Sequence, residues 1–171
     1  MNKVLQNAAG ATVSDEAELP VHILVVEDEP DINLLMTVVL TRAGYRVDNA
    51  KDGVAGLEAL RTTGYDLLIT DNNMPSVTGL ELIKIVRSEG ILLPVILTSG
   101  LMPTDEVNQN PWLQIAAVLA KPFTTDALLG VVRNVLHARH AVPTEIPFPM
   151  TAEVVYDLDA TPTQKSSPPA S

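Results

Sequence analysis

Polar and charged side chains stand where four apolar runs of the sequence end. They are two neighbouring acids, Glu27 and Asp28, then Asp71, the hydroxyl of Thr98 and the ammonium of Lys121. Carboxylates gathered at one place repel one another unless a cation compensates them, and their hard oxygen atoms suit Mg²⁺. An Asp carboxylate can also accept a phosphoryl group, while an ammonium and a hydroxyl bind the phosphoryl oxygens. The set therefore indicates phosphoryl transfer onto Asp71.

Strands and helices are predicted to alternate between residues 21 and 140. Five short apolar runs indicate strands: "HILVV", "YRVDNA", "DLLIT", "PVILTS" and "IAAVLA". Between them apolar residues recur at helical spacing, in the first helix at Ile32, Leu35, Met36, Val39 and Leu40. Such alternation with short connections implies parallel strands. The predicted fold class is α/β, a single domain with a doubly wound five-stranded parallel sheet and helices on both faces.

The functional crevice of such a sheet lies beyond the carboxyl ends of its strands. Each polar group of the set follows or closes a predicted strand at that end. We therefore expect three carboxylates, one hydroxyl and one ammonium to converge at a single edge of the sheet.

Composition excludes several classes of function. The 171 residues include 21 acids, 11 bases and no Cys, for a net charge of -10. An acidic chain does not favour a nucleic-acid partner, and thiolate or Cys-metal chemistry is impossible. No apolar run approaches the roughly 18 residues of a membrane span, and the N-terminus lacks a secretory signal. We expect a cytoplasmic protein with no membrane contact.

The ends of the chain differ from the middle. Residues 1–20 are small, polar and unpatterned, which predicts a flexible leader. From Pro143 onward the sequence is rich in proline, so 141–171 is interpreted as a disordered tail. Its one moderately apolar patch, "AEVVYDLDA", is either a solvated stretch or a docking peptide.

Four stretches closely resemble the receiver domain of bacterial two-component response regulators, including the stand-alone chemotaxis type. They are "VVEDEP", "ITDNNMPSVTGLEL", "ILTSG" and "AKPF", and the resemblance covers about residues 21–140. They occur in the family's order, with 43 residues from Asp28 to Asp71, 27 more to Thr98 and 23 more to Lys121. Four ordered motifs on alternating elements are far more specific than any one of them. The resemblance implies a flavodoxin-like fold.

The resemblance also implies a role for each matching residue. Asp71 would be the phosphoacceptor. Asp28 would bind Mg²⁺ directly, Glu27 would hold it through water, and Asn73 would offer a backbone carbonyl. The other positions are Thr98, which would bind the phosphoryl group and move with it, and Lys121, which would pair with Asp71 or the phosphoryl oxygens before a cis bond to Pro122.

Partners follow from the same resemblance. A histidine kinase or phosphotransfer protein would donate the phosphoryl group, and a downstream protein target would receive the signal. The protein would be a monomer or weak dimer. It would not be an enzyme in the usual sense, since it would catalyse only its own phosphorylation and dephosphorylation.

Three departures from the family pattern concern activation and metal binding. Glu27 replaces the commoner Asp of the acidic pair. Val118 stands where an aromatic residue usually reports the movement of the Thr. Pro103 and Pro111 limit any helix between them to about two turns.

Two alternatives remain open on the residues, and a third is disfavoured. An aspartate-nucleophile phosphatase would need a second Asp two residues after Asp71, where this chain has Asn73. A pseudo-receiver that only binds partners is suggested by Val118. A nucleotide-binding domain is disfavoured, because no G-x-G-x-x-G follows the first strand.

Overall fold

A computed structural model of the chain describes residues 20–101, 104–140 and 153–155. Within them six parallel strands form one sheet in the order β2-β1-β3-β4-β5-β6. The strands are β1 (His22–Val26), β2 (Arg46–Ala50), β3 (Leu67–Asp71), β4 (Val95–Ser99), β5 (Ile115–Ala120) and β6 (Glu153–Val155). The predicted leader and most of the predicted tail lie outside the described residues.

Five α-helices follow the first five strands in turn. They are α1 (Pro30–Arg42), α2 (Gly53–Thr62), α3 (Gly79–Ser88), α4 (Thr104–Gln109) and α5 (Thr125–His140). Side-chain hydrogen bonds cap the first turns of α2 and α3. The Asp52 side chain accepts the Ala55 N–H of α2 at 2.8 Å. At α3 the Thr78 hydroxyl accepts the Glu81 N–H at 3.2 Å and the Glu81 carboxylate accepts the Thr78 N–H at 2.9 Å, which forms a capping box.

The sheet separates two apolar cores, because successive strand residues point to opposite faces. Leu24 and Val26 pack on one face with residues of α2 and α3, whereas Ile23 and Val25 pack on the other with α1 and α5. The predicted doubly wound parallel sheet with helices on both faces is therefore confirmed. The first helix departs from its predicted stripe at Leu35, which is 45% exposed.

The sheet has one strand more than the five predicted. Glu153–Val155 lies beside β5, within the patch that was interpreted as either a solvated stretch or a docking peptide. Three residues are too few to show a strand pattern in the sequence. Between β4 and β5, α4 has only six residues and is followed by a 3-10 turn, Pro111–Leu113, as the neighbouring prolines predict.

None of the described helices is both long and apolar enough to cross a bilayer.

Arg87 joins the end of α3 to the loops before β4 and β5. Its guanidinium donates to the carbonyls of Ile91, Leu93 and Leu113 at 2.8 Å each, and to that of Gln114 at 3.3 Å. Burial lowers the pKa of Arg87 below its ordinary value, but a guanidinium remains charged in proteins. One side chain thereby satisfies four backbone acceptors that belong to two separate connections.

Replacing Arg87 with Met should lower the free energy of unfolding by about 2 kcal/mol, since the carbonyls lose charge-assisted hydrogen bonds while the aliphatic stem is kept. Urea unfolding with an unchanged m-value measures this. The matched control is Arg61→Met. Arg61 lies on the surface and pairs with Glu89, so little change is expected there. Equal losses in the two variants would contradict the proposed importance of the carbonyl contacts.

Candidate functional site

The carboxyl ends of four neighbouring strands meet at one edge of the sheet. Glu27 and Asp28 directly follow β1, and Asp71 is the last residue of β3. In the sheet register Asp71 lies beside Thr98 of β4. Lys121 follows β5, and its backbone N–H donates to the Ser99 carbonyl at 2.8 Å. Parallel pairing therefore places all these groups in one pocket.

Three carboxylates gather in this pocket. Glu27, Asp28 and Asp71 each offer an oxygen atom, and these atoms all lie within 4.8 Å of one another. Glu27 is 1% exposed and Asp71 3% exposed, while Asp28 is half-buried. Buried carboxylates this close need a compensating cation. Their oxygen atoms are the donors that Mg²⁺ prefers, so the residues present fit that ion.

Lys121 supplies one positive charge to the group. Its Nζ atom lies 2.8 and 3.0 Å from the two carboxylate oxygens of Glu27 and 3.2 Å from Oδ1 of Asp71. Glu27 is thus the principal partner of Lys121. The resemblance implied a pairing of Lys121 with Asp71 or the phosphoryl oxygens, and the contact with Glu27 is additional to it. It engages the residue at which this chain departs from the commoner Asp.

The pKa values of Glu27 and Lys121 are shifted by burial, by their mutual contact and by the neighbouring charge of Asp71. Burial raises the pKa of Glu27 above its ordinary value; the hydrogen bond and charge of Lys121 oppose this, and the Asp71 charge adds to it. Burial lowers the pKa of Lys121, but its contacts with Glu27 and Asp71 outweigh that effect and the pKa lies above its ordinary value. Lys121 therefore stays charged, and one ammonium is shared between two carboxylates.

Two buried polar atoms in the pocket have no hydrogen-bond partner among the described residues. They are Oδ1 of Asp71, which meets the charge of Lys121 at 3.2 Å, and Oγ1 of Thr98. Leaving a buried polar group unsatisfied typically costs about 1–3 kcal/mol. A bound cation would satisfy the carboxylate, and a bound anion with acceptor oxygens would satisfy the hydroxyl.

Backbone contacts hold Asp71 in place. The Asn72 N–H donates to the Thr98 carbonyl at 2.8 Å, and the Asn72 side chain accepts the Leu80 N–H at 3.3 Å. Gly79 packs directly on the Asp71 carbonyl, where an added Cβ would overlap the oxygen. The first turn of α3 is thereby fixed against the end of β3.

Sequence reasoning missed one supporting residue. The side chain of Asn33 donates to the Glu27 carbonyl at 3.1 Å and ties α1 to the end of β1. Its sequence signal is weak, since it consists only of the position of Asn33 six residues after Glu27, near the start of the predicted first helix. Asn73, predicted to offer a carbonyl to the metal, lies exposed in the loop after β3.

Two further positions implied by the resemblance are placed by the structure. The Lys121–Pro122 peptide bond is cis, as expected. Val118 is 2% exposed and packs in the core on the α2 and α3 side. An aliphatic side chain buried there leaves no aromatic ring to move between inward and outward positions.

Comparison with known proteins gives consistent matches. The family model of the response regulator receiver domain matches residues 23–133. The transcriptional regulatory protein CusR of Escherichia coli (strain K12) is 34% identical over 136 residues, which is 80% of this chain and 60% of CusR. This chain spans less than two thirds of the length of the curated relatives that it matches.

Solved structures agree with the fold. The chemotaxis response regulator CheY4 of Vibrio cholerae aligns with a TM-score of 0.64 at 29% identity, covering 69% of this chain and 100% of that one. The response regulator TrrA of Thermotoga maritima, solved in complex with Mg²⁺ and BeF, aligns with a TM-score of 0.61 at 31% identity, covering 68% and 99% of the two chains.

Proposed function

Because the chain belongs to the family of response regulator receiver domains, we propose that it accepts a phosphoryl group on Asp71 and signals through protein–protein contacts. It is a receiver of two-component signalling and not a classical enzyme. The observation that carries the proposal is the arrangement of Asp71, which ends β3 within 4.8 Å of two other carboxylates and has Lys121 at 3.2 Å. We propose that its catalysis is limited to its own phosphorylation and dephosphorylation.

Mg²⁺ is the proposed cofactor. Glu27, Asp28, Asp71 and the backbone of Asn73 would hold it, and it would neutralise negative charge on the transferring phosphoryl oxygens. The direct contact between Glu27 and Lys121 is a further property of this chain. A Mg²⁺ ion held by Glu27 would therefore compete with the Lys121 ammonium for the same carboxylate.

The proposed transfer needs few protein groups. A carboxylate oxygen of Asp71 attacks phosphorus, and the bond from phosphorus to the donor atom breaks, so that the electron pair leaves with the donor. Lys121 offsets charge on the phosphoryl oxygens as a point charge. The hydroxyl of Thr98, for which the described residues offer no acceptor, donates to one of them.

The proposed donor is a histidine kinase or phosphotransfer protein. Such a protein would hand the phosphoryl group to Asp71, and we propose that this exchange takes place in the cytoplasm. The proposed output is contact with a downstream protein, from a monomer or weak dimer. A net charge of -10 disfavours direct binding to nucleic acid.

Stoichiometry separates this proposal from its competitors. With Mg²⁺ and acetyl phosphate, intact-mass spectrometry should show chains that carry one acid-labile phosphoryl group and none that carry two. Sustained hydrolysis of a generic phosphate ester would instead support an aspartate-nucleophile phosphatase, although Asn73 offers no proton-transfer group for that reaction. No labelling, and no spectral response to Mg²⁺ with beryllofluoride, would support the pseudo-receiver that Val118 suggests.

A further inference from the structure

Without β6, the sheet would have β2 and β5 as its two edge strands. These two strands differ in how well they resist pairing with another chain. An exposed sheet edge offers unpaired backbone groups, and proteins protect it with charges, prolines, short strands or a cover. β2 carries its own protection, because Arg46 and Asp48 lie on it. β5, "IAAVLA", has six residues with no charge and no Pro, so its edge needs a cover.

The chain's own segment Glu153–Val155 lies on that edge. It pairs in parallel with β5, with Ala117 beside Glu153, Val118 beside Val154 and Leu119 beside Val155. Residue 153 follows the end of α5 by 12 undescribed residues. The segment is therefore a cover supplied from a distant part of the same chain.

Backbone directions along β5 show which groups face the cover. The Lys121 N–H points toward β4, where it donates to Ser99. Successive residues of a strand direct their backbone groups to opposite neighbours, so those of Val118 point toward β6. With this register the backbone groups of Glu153 and Val155 face β5, whereas those of Val154 face away.

The cover also suits its position as the new outer strand. It has only three residues, and one of them is Glu153. Pro147, Pro149 and Pro162 stand on either side of it in the sequence. A short outer strand with a charge and nearby prolines offers little for a further chain to extend.

We propose that the edge of β5 is a strand-docking site, occupied by the chain's own segment Glu153–Val155, which closes the sheet against strand addition by a second copy of this chain. The proposal stands on the register and composition of β5 and does not depend on phosphorylation of Asp71. Each backbone hydrogen bond contributes only modestly, while the covalent tether gives the segment a high effective concentration. The occupied state is thus favoured but reversible.

Two proline variants of the full chain test the docking. Val155→Pro removes an N–H that faces β5, whereas Val154→Pro makes the same chemical change at an N–H that faces away. Hydrogen exchange of the Val118 amide should become at least tenfold faster in Val155→Pro and stay near the wild-type rate in Val154→Pro. The Lys121 amide, which bonds to β4, is the internal control and should keep its protection in both.

Sedimentation at increasing protein concentration tests the consequence. The uncovered edge in Val155→Pro should give stronger self-association than in Val154→Pro or the wild type. The proposal is overturned if the Val118 amide exchanges equally in the two variants, or if both variants associate to the same extent. Because the variants are compared with each other, association through another surface leaves the comparison valid.

Discussion

A chain carrying Asp71→Asn should take up no phosphoryl group from acetyl phosphate or from a cognate kinase in the presence of Mg²⁺. The Asn side chain has nearly the same shape, but its amide oxygen is a far weaker nucleophile than a carboxylate and it removes one negative charge from the metal-binding set. Lys121 keeps its two contacts with Glu27 at 2.8 and 3.0 Å. The loss should therefore reflect missing chemistry and not a collapsed pocket.

Thermal unfolding checks that interpretation. Removing one of three close carboxylates relieves repulsion, so Asp71→Asn should be at least as stable as the wild type without metal. The matched control is Asp126→Asn, because Asp126 is exposed in the first turn of α5. That control should be labelled at the wild-type rate. Acid-labile label on another residue of the Asp71 variant would show that the phosphoacceptor has been assigned wrongly.

The second large effect is expected for Gly79→Ala. An added Cβ would overlap the backbone oxygen of Asp71 and lie 3.0 Å from Cδ1 of Leu97. A backbone oxygen cannot rotate away, so α3 and the end of β3 must separate. Overpacking of this kind should lower the free energy of unfolding by about 3 kcal/mol. Because the displaced carbonyl belongs to Asp71, phosphorylation should also slow.

Gly130→Ala is the control for Gly79→Ala. Gly130 lies inside α5, and in the part of the chain that the structure describes nothing lies within 4 Å of the position of its added Cβ. Alanine in a helix interior should stabilise the protein by about 0.5–1 kcal/mol. Chemical denaturation compares the two variants. Similar stability of both alanine variants would show that α3 can move away from Asp71 at little cost.

The sequence was informative about the fold where the signal is local. The run ending at Asp71 is apolar and bounded by polar residues, so β3 could be predicted from its own residues. The prediction of a buried Leu35 was wrong, because helical spacing gives a stripe but not its width, and α1 buries Met36 and Leu40 while leaving Leu35 exposed. The pairing of β6 with β5 depends on a partner more than 30 residues away, which no local pattern reveals.

The same limit applies to the site. Strand ends predicted which side chains would share an edge of the sheet, because parallel strands bring those ends together. They did not predict that Glu27 would hold Lys121 directly, since that depends on side-chain reach across the pocket. Nor did they show that the Thr98 hydroxyl would be buried without a partner among the residues that the structure describes. The role of Arg87 has no sequence signature, because its four acceptors are backbone carbonyls.

The Arg87 contacts have a consequence for behaviour in acid. Hydrogen bonding to Arg61 lowers the pKa of Glu89, so the stability from that pair is present at neutral pH and is lost as the pH falls through the lowered pKa. The guanidinium of Arg87 and the carbonyls that it binds do not titrate in that range. On acidification, the junction of α3 with the segments that enter β4 and β5 should therefore outlast the carboxylate pairs at the surface.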